Sequence, residues 1–213
     1  MRIGAKICGL STPETVDAAL AGGAAFVGFM FFRASPRDID PDAAAHLARR
    51  ARGKARIVAV TVDPDDALID RLVDIVRPDL IQLHGRETPA RALEVSKRAR
   101  AGVIKVLAVS SSADFDHAAE FEGVADHLMF DARPPPNADR PGGLGASFDA
   151  SILGGRRFQR PWFLAGGLDP WNVSDAIRLS GAPLVDVSSG VERGPGLKDA
   201  TLIANFLEAV RRA

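Results

Sequence analysis

The sequence has very little cysteine and no net charge. Its single cysteine, Cys8, excludes an internal disulfide and a zinc site made of four thiolates, so we expect a reducing, cytoplasmic compartment. Lysine plus arginine and aspartate plus glutamate each number 27, which leaves no net field to attract nucleic acid or an anionic membrane. We therefore expect neither of these as a partner.

The sequence also lacks a long hydrophobic run. Its longest uncharged stretch, Ala18 to Phe32, is shorter than the roughly 18 residues of a membrane-spanning helix and is interrupted by glycines. The first residues, Met1 to Cys8, are not followed by an apolar segment of signal-peptide length. These features predict a protein that is neither inserted into a membrane nor exported.

What is present is a regular alternation of short apolar runs and longer segments of helical period. With 46% hydrophobic and 25% charged residues, the chain can build one compact domain, which we expect to span residues 1–213. Most runs are nearly continuously apolar, without the alternation of an antiparallel sheet, as in parallel strands that are covered by helices on both faces. The eight predicted strands are Ile3 to Ile7, Phe26 to Met30, Ile57 to Val62, Leu80 to Leu83, Val103 to Leu107, His127 to Phe130, Trp162 to Ala165 and Leu184 to Val187.

Helix starts recur between these runs, each as a capping oxygen followed by a proline at the first helical position. They are Thr12-Pro13, Asp40-Pro41, Asp63-Pro64, Thr88-Pro89 and Asp169-Pro170. Eight strand-helix units in a chain of this length predict an α/β fold, a single (β/α)₈ TIM barrel with parallel strands. An open, doubly wound sheet is the alternative architecture.

Chemistry in such barrels gathers at the carboxyl ends of the strands. The polar or glycine residues predicted there are Lys6, Cys8, Arg33, Arg37, Asp63, His84, Asp131, Gly166, Gly167, Asp186, Ser188, Ser189 and Gly190. His84 is the only histidine at the carboxyl end of a predicted strand, and the spacing of the histidines indicates no metal cluster. We therefore expect no bound metal.

Two glycine-rich turns follow the predicted strands seven and eight, where barrels commonly hold a substrate phosphate on backbone N–H groups. They are Ala165-Gly166-Gly167-Leu168 and Ser188-Ser189-Gly190-Val191. The alternative is a pair of ordinary tight turns. Because both phosphate-binding positions carry such a turn, we expect a small phosphorylated substrate.

Cys8 and Asp131 are the candidate base and acid. The Cys8 thiol either fills the core or takes part in nucleophilic or proton-transfer chemistry. Asp131 points into the barrel mouth unless Arg133 pairs with it. A base and an acid from well-separated strands suit proton transfer at two neighbouring atoms of a substrate. Arg37 either binds a substrate carboxylate or lies on the surface.

Several motifs, in their order and at these strand ends, resemble the phosphoribosylanthranilate isomerases of tryptophan biosynthesis. They run from Lys6-Ile7-Cys8-Gly9 through Ser35-Pro36-Arg37, Gln82-Leu83-His84-Gly85, Asp131, Gly142-Gly143-Leu144-Gly145, Phe148-Asp149 and Ala165-Gly166-Gly167-Leu168 to Val185-Asp186-Val187-Ser188-Ser189-Gly190-Val191-Glu192 and Pro195-Gly196-Leu197-Lys198-Asp199. The resemblance spans the chain from Lys6 to Asp199.

The resemblance implies a single (β/α)₈ barrel that catalyses an Amadori rearrangement of N-(5-phosphoribosyl)anthranilate, with no cofactor. It implies that Asp131 is the general acid on the furanose ring oxygen and that Cys8 is the general base at C2. Arg37 would bind the anthranilate carboxylate, and Asp186 and His84 would contact or position the substrate. The phosphate would lie on Gly166, Gly167, Ser188, Ser189 and Gly190.

These roles carry expectations about protonation. The pKa of the Cys8 thiol, ordinarily about 8.5, must be lowered by its surroundings, and Lys6 is expected on the opposite side of the strand. The pKa of Asp131 must be raised, by partial burial or by the bound phosphate. The sequence departs from the family pattern at Leu144, Ala150 and Ala165, the first two in or after a predicted lid, Ala132 to Ser147.

Two other functions remain open. A histidine-pathway isomerase performs the same rearrangement with two carboxylates, but Cys8 stands where its first carboxylate would be. A non-catalytic barrel that only binds a phosphorylated ligand would need neither Cys8 nor Asp131. The chain is expected to act as a monomer or homodimer.

Overall fold

The computed structural model describes residues 3–133, 142, 147 and 149–213. Eight parallel strands pair in sequence order and close into a barrel, β8 against β1, which confirms the predicted fold and excludes an open sheet. The strands are β1 (Gly4–Cys8), β2 (Phe26–Phe31), β3 (Arg56–Thr61), β4 (Leu80–Leu83), β5 (Gly102–Val109), β6 (His127–Ala132), β7 (Trp162–Leu164) and β8 (Leu184–Val187).

The predicted strands lie within two residues of the observed ones at every end. β4 and β8 begin and end at the predicted residues, whereas β5 extends beyond the predicted Val103 to Leu107 by one residue before and two after. These differences between predicted and observed strand ends affect two candidate site residues. Cys8 is the last residue of β1, and Asp131 lies within β6, so both side chains are fixed by the sheet.

Seven α-helices accompany the strands: α1 (Pro13–Ala21), α2 (Pro41–Ala51), α3 (Asp66–Ile75), α4 (Pro89–Ala99), α5 (Ala118–Phe121), α6 (Val173–Ser180) and α7 (Ala200–Arg212), counted over the described residues. Three of the five predicted caps are confirmed. The side chains of Thr12, Asp40 and Thr88 each accept a hydrogen bond from a backbone N–H in the first turn of α1, α2 and α4.

The other two predicted helix starts are wrong. α3 is capped by Asp65, because the Asp63 carboxylate accepts instead from the Arg86 N–H at 2.7 Å. α6 begins only at Val173, because the Asp169 carboxylate holds a preceding turn by accepting from the backbone N–H groups of Trp171 and Asn172. Asp63 therefore binds a loop in place of the expected helix terminus, whereas Asp169 caps a turn that precedes the regular helix.

The helical layer is thinner after β5 and β6. β5 is followed by a 3₁₀ helix, Ser112–His117, and by the single turn α5. In the described part of the chain, β6 is followed by a 3₁₀ turn, Ala150–Leu153, which begins at one of the family departures. Most of the predicted lid, including Leu144, lies outside the described residues.

A short antiparallel hairpin that the sequence analysis did not predict lies between β8 and α7. Its strands are β9 (Glu192–Gly194) and β10 (Leu197–Lys198). The hairpin carries two charged side chains, Glu192 and Lys198, to the same end of the barrel as Cys8.

The barrel interior is a packed core rather than a channel. Its buried residues are Cys8, Phe26, Val58, Val60, Leu80, Ile104, Val106, Met129, Phe163 and Ala165. Gly28 leaves room in this core, since a Cβ atom there would lie 3.1 Å from the Lys6 Nζ. Within the described ranges, no helix combines the length and the apolar character needed to cross a membrane.

Candidate active site

A cleft opens at the carboxyl ends of the strands. It is lined by Cys8, Met30, Phe32, Ser35, Arg37, Val62, Gln82, His84, Asp131, Gly142, Asp186 and Ser188. The closed barrel thus brings six of the predicted site residues together: Cys8, Arg37, His84, Asp131, Asp186 and Ser188. Arg33 and Asp63, which also follow predicted strands, line a neighbouring cleft instead.

Lys6 lies beside Cys8 inside the barrel. Its side chain is fully buried, and its Nζ donates to the Asp186 Oδ1 at 2.8 Å. Its positive charge also acts on the Cys8 thiol and favours the thiolate. The expectation that Lys6 points to the opposite side of the strand is wrong, because residues two apart on a strand share a face.

The protonation state expected for Cys8 also needs correction. Burial raises the pKa of the Cys8 thiol, and the negative charge of Asp186 adds to the rise. The positive charges of Lys6 and Lys198 act in the opposite direction but do not outweigh burial. In the ligand-free protein the surroundings therefore favour the neutral thiol, not the thiolate.

Arg37 is buried in a network with the β9–β10 hairpin. Its Nε and Nη2 donate to the two Glu192 carboxylate oxygens at 2.7 and 2.8 Å. Lys198 Nζ donates to the Glu192 Oε1 at 2.5 Å. Burial alone would raise the pKa of Glu192, but hydrogen bonds from Arg37 and the charge of Lys198 lower it on balance. The alternative that Arg37 is a surface arginine is therefore wrong.

Asp131 and His84 approach each other across the cleft. His84 Nε2 lies 3.3 Å from Asp131 Oδ2. The two atoms do not form a hydrogen bond, and the His84 Nε2 has no other partner among the described residues. Arg133 does not pair with Asp131, because its guanidinium contacts the Asp114 carboxylate. Asp131 therefore keeps a carboxylate oxygen directed at the cleft, as the sequence analysis required.

The two glycine-rich turns pack directly against each other. Gly166 and Gly167 have φ angles of +90° and +63°, which an L side chain rarely adopts. A Cβ atom at Gly190 would lie 1.9 Å from the Leu168 carbonyl oxygen. Ser189 and Gly190 form a 3₁₀ turn directly after β8. The close approach leaves no room for a side chain at Gly190, which brings the turns after β7 and β8 side by side.

Ser188 is already engaged in the ligand-free protein. Its hydroxyl donates to the Cys8 carbonyl at 3.3 Å and accepts from Lys198 Nζ at 3.2 Å. Lys198 and Glu192 lie in motifs that resemble the family, but the sequence predicts no role for either residue. Both residues lie in a long segment directly after a barrel strand, which is the one sequence feature that could have pointed to a role in the site. The pairing of Glu192 with Arg37 could not be predicted from the sequence, because the two residues are 155 positions apart.

Fold and site together define a (β/α)₈-barrel enzyme, with a thiol and a carboxylate in one cleft beside two glycine turns. The family model for N-(5'-phosphoribosyl)anthranilate isomerase matches residues 5–209. This chain therefore belongs to the N-(5'-phosphoribosyl)anthranilate isomerase family, and it catalyses an isomerisation of the Amadori type in tryptophan biosynthesis.

Named relatives agree with this assignment. An N-(5'-phosphoribosyl)anthranilate isomerase of Caulobacter vibrioides is 67% identical over 211 residues, covering 99% of this chain and 96% of that protein. The structure of the phosphoribosyl anthranilate isomerase from Thermotoga maritima superposes with a TM-score of 0.87 at 32% identity, covering 99% of this chain and 100% of that one. A further isomerase structure, in complex with reduced 1-(o-carboxyphenylamino)-1-deoxyribulose 5-phosphate, has a TM-score of 0.83 at 29% identity, with 99% and 100% coverage.

Proposed function

We propose that Asp131 and Cys8 perform the rearrangement as general acid and general base. Asp131 protonates the furanose ring oxygen of N-(5-phosphoribosyl)anthranilate, which opens the sugar to an iminium. The iminium nitrogen acidifies the neighbouring C–H, so the minor thiolate form of Cys8, which the positive charges of Lys6 and Lys198 favour against burial, removes the C2 proton and an enolamine forms. Ketonisation gives 1-(2-carboxyphenylamino)-1-deoxyribulose 5-phosphate. The observation that carries this proposal is that both side chains line the same cleft.

The remaining predicted residues bind or position the substrate in this proposal. Arg37 binds the anthranilate carboxylate, and its pairing with Glu192 fixes the plane of the guanidinium. Asp186 and His84 contact or position the sugar. The backbone N–H groups of Gly166, Gly167, Ser188, Ser189 and Gly190 hold the phosphate.

The charges around the cleft support an anionic substrate. Lys6, Arg37 and Lys198 are cationic, and only Asp186 and Glu192 oppose them within this buried network. This network carries an excess of one positive charge, which the Asp131 carboxylate in the same cleft balances when it is ionised. The support for a ligand with a phosphate and a carboxylate therefore comes from the position of the cations rather than from a net charge.

We further propose that residues 1–213 form a single barrel domain that acts in the cytoplasm, as a monomer or homodimer, without a nucleic-acid or membrane partner. The zero formal charge supports the absence of these partners.

The activity is tested by generating N-(5-phosphoribosyl)anthranilate in situ and following the loss of its anthranilate-type fluorescence. We expect the protein to accelerate this loss strongly over the uncatalysed rate. A protein that is folded and binds phosphorylated ligands but leaves the rate unchanged would be a binder, and the proposed function would be wrong. Activity on the histidine-pathway substrate alone would favour the rival isomerase.

The pKa of the Cys8 thiol is expected to lie above that of an ordinary cysteine thiol. The ultraviolet absorbance of the thiolate measures this directly, since the chain contains one cysteine and no tyrosine. The folded state holds this proton more tightly than the unfolded chain, so the free energy of unfolding should fall as pH rises from the pKa of the unfolded thiol to that of the folded thiol. Lys6→Met should raise the folded pKa further, and a wild-type pKa at or below that of the thiol in the unfolded chain would contradict the buried-thiol description.

Gly190→Ala is expected to weaken phosphate binding. The added Cβ would collide with the Leu168 carbonyl oxygen and push apart the two turns. Loss of a hydrogen bond to a charged group, worth roughly 1.5–3 kcal/mol, corresponds to a rise in KM of roughly 10- to 100-fold. Steady-state kinetics checks this, with Gly123→Ala as the matched control because a Cβ there meets nothing within 4 Å. An unchanged KM in Gly190→Ala would place the phosphate elsewhere.

A further inference from the structure

A further buried ion pair lies just outside the catalytic cleft. Lys105 on β5 and Glu87, which precedes α4, approach to 2.6 Å between Nζ and Oε2, with side chains only 4% and 1% exposed. Lys105 faces the helical layer, where its Nζ lies 5.5 Å from the centre of the Phe121 ring. Neither Glu87 nor Lys105 lines the cleft, so neither is explained by substrate binding.

The pair ties together the loops that follow β3 and β4. Glu87 Oε1 accepts from the Asp63 N–H at 2.9 Å, and both Glu87 oxygens accept from the Gly85 N–H at 3.1 and 3.0 Å. Lys105 Nζ donates to the Gly85 carbonyl at 2.8 Å. Gly85 is therefore held at both its N–H and its carbonyl.

The two loops also interlock sterically. A Cβ atom at Gly85 would lie 2.4 Å from the Asp63 Oδ1, so only glycine leaves room for this carboxylate. Asp63 itself has a φ of +44°, a conformation that persists when the surrounding contacts enforce it. The Glu87 carboxylate supplies such a contact by binding the Asp63 N–H.

This arrangement bears directly on His84, the residue before Gly85. The His84 N–H donates to the Thr61 carbonyl at 2.9 Å, so its backbone is fixed by β3 on one side and by the ion pair on the other. The His84 ring lies between two polar side chains. Its Nδ1 is 3.4 Å from the Gln82 Nε2, and its Nε2 is 3.3 Å from the Asp131 Oδ2. A displacement of Gly85 would move this ring relative to the Asp131 carboxylate.

Stability alone gives little reason for such a pair. Removing two charges from water costs several kcal/mol per ion, and apolar replacements of buried pairs are often neutral or stabilising. We propose that Glu87 and Lys105 are positioning residues, which hold His84 against Asp131 and so support proton transfer from Asp131 without touching the substrate. This inference rests on the proposed function of Asp131.

The test neutralises both partners at once. Glu87→Gln with Lys105→Met leaves no unpaired buried charge and keeps an amide oxygen to accept the Asp63 and Gly85 N–H groups. We expect kcat to fall about tenfold and KM to change less than twofold, because the pair acts on the chemical step. The matched control, Asp17→Asn with Arg50→Met, neutralises an exposed bidentate pair far from the cleft and should change neither parameter.

A double-mutant cycle shows whether the effect passes through His84. In a His84→Ala background, the Glu87 and Lys105 substitutions should produce no further fall in kcat. A wild-type kcat in the folded double variant, or the same fall in the His84→Ala background, would overturn the inference. If the double variant does not fold, Lys105→Arg replaces it, because this substitution keeps the charge but changes the geometry of the pair. Its kcat is then compared in the wild-type and His84→Ala backgrounds, and a wild-type kcat or an equal fall in both backgrounds would again overturn the inference.

A spectroscopic measurement separates this inference from the proposed function. The chain has four histidines, and ¹⁵N NMR of labelled histidine rings identifies the His84 signals by their loss in His84→Ala. We expect the Glu87 and Lys105 substitutions to shift the His84 ring signals and to leave those of exposed His46 unchanged. Unmoved His84 signals would overturn the positioning role, whereas shifted His84 signals in a protein inactive on N-(5-phosphoribosyl)anthranilate would overturn the proposed function and, with it, the catalytic purpose of that positioning.

Discussion

Cys8→Ala is expected to reduce kcat by about 10²- to 10⁴-fold, the usual contribution of a general base. The side chain lies at the carboxyl end of β1, beside Lys6 and Asp186, and lines the cleft. The substitution removes the only thiol of the chain, so no other cysteine can replace it. The fluorescence assay measures the loss, with the folded fraction checked by circular dichroism.

Cys8→Ser separates catalysis from packing. Cys8 belongs to the buried barrel core, so its replacement by alanine also leaves a small void. Serine keeps nearly the same volume, but its hydroxyl is a much weaker acid and does not supply the anionic base. We expect Cys8→Ser to unfold near the wild-type temperature and to be as inactive as Cys8→Ala. Full activity in either variant would show that Cys8 is only a core residue.

Asp131→Asn should be similarly damaging, with kcat lowered about 10²- to 10⁴-fold. The amide is nearly isosteric, and its oxygen can still accept from the Ala132 N–H as the Asp131 Oδ1 does at 2.8 Å. What the substitution removes is the acidic proton that opens the sugar ring. Steady-state fluorescence assays measure the effect, and the unfolding temperature should stay close to that of the wild type.

The control for this variant is Asp175→Asn, which neutralises a carboxylate that is 73% exposed on α6. It changes the net charge by the same amount but lies outside the cleft lining. We expect wild-type kinetics from it. An Asp131→Asn enzyme that kept its kcat would mean that another group protonates the ring oxygen.

The fold was predictable because its signals are local. Continuous apolar runs such as Phe26–Phe31 and Trp162–Leu164 have no polar face, so they fit strands buried on both sides. Capping by Thr12 and Thr88 involves residues three apart in the chain. The cap failed at Asp63 because its side chain binds the backbone of Arg86, 23 residues away, which the local pattern does not contain. At Asp169 the expected contacts form, but they hold a turn that ends before the regular helix begins.

The members of the site were predictable, but not their interactions. Barrel closure places all strand ends at one rim, so a list of strand-end residues already contained Cys8, Arg37, His84, Asp131 and Asp186. The pairs Lys6–Asp186 and Arg37–Glu192 join residues 180 and 155 positions apart, and such contacts exist only in the closed barrel. The rise in the pKa of Cys8 has the same origin, since burial depends on the whole core.

The most direct test of the account compares wild type, Cys8→Ala, Asp131→Asn and the double variant in one fluorescence assay. Asp131 and Cys8 are assigned to successive steps, so the higher of the two barriers should set the overall rate. The account predicts that the double variant is no slower than the slower single variant. A double variant slowed by the product of both single effects, or a single variant with the wild-type rate, would contradict it.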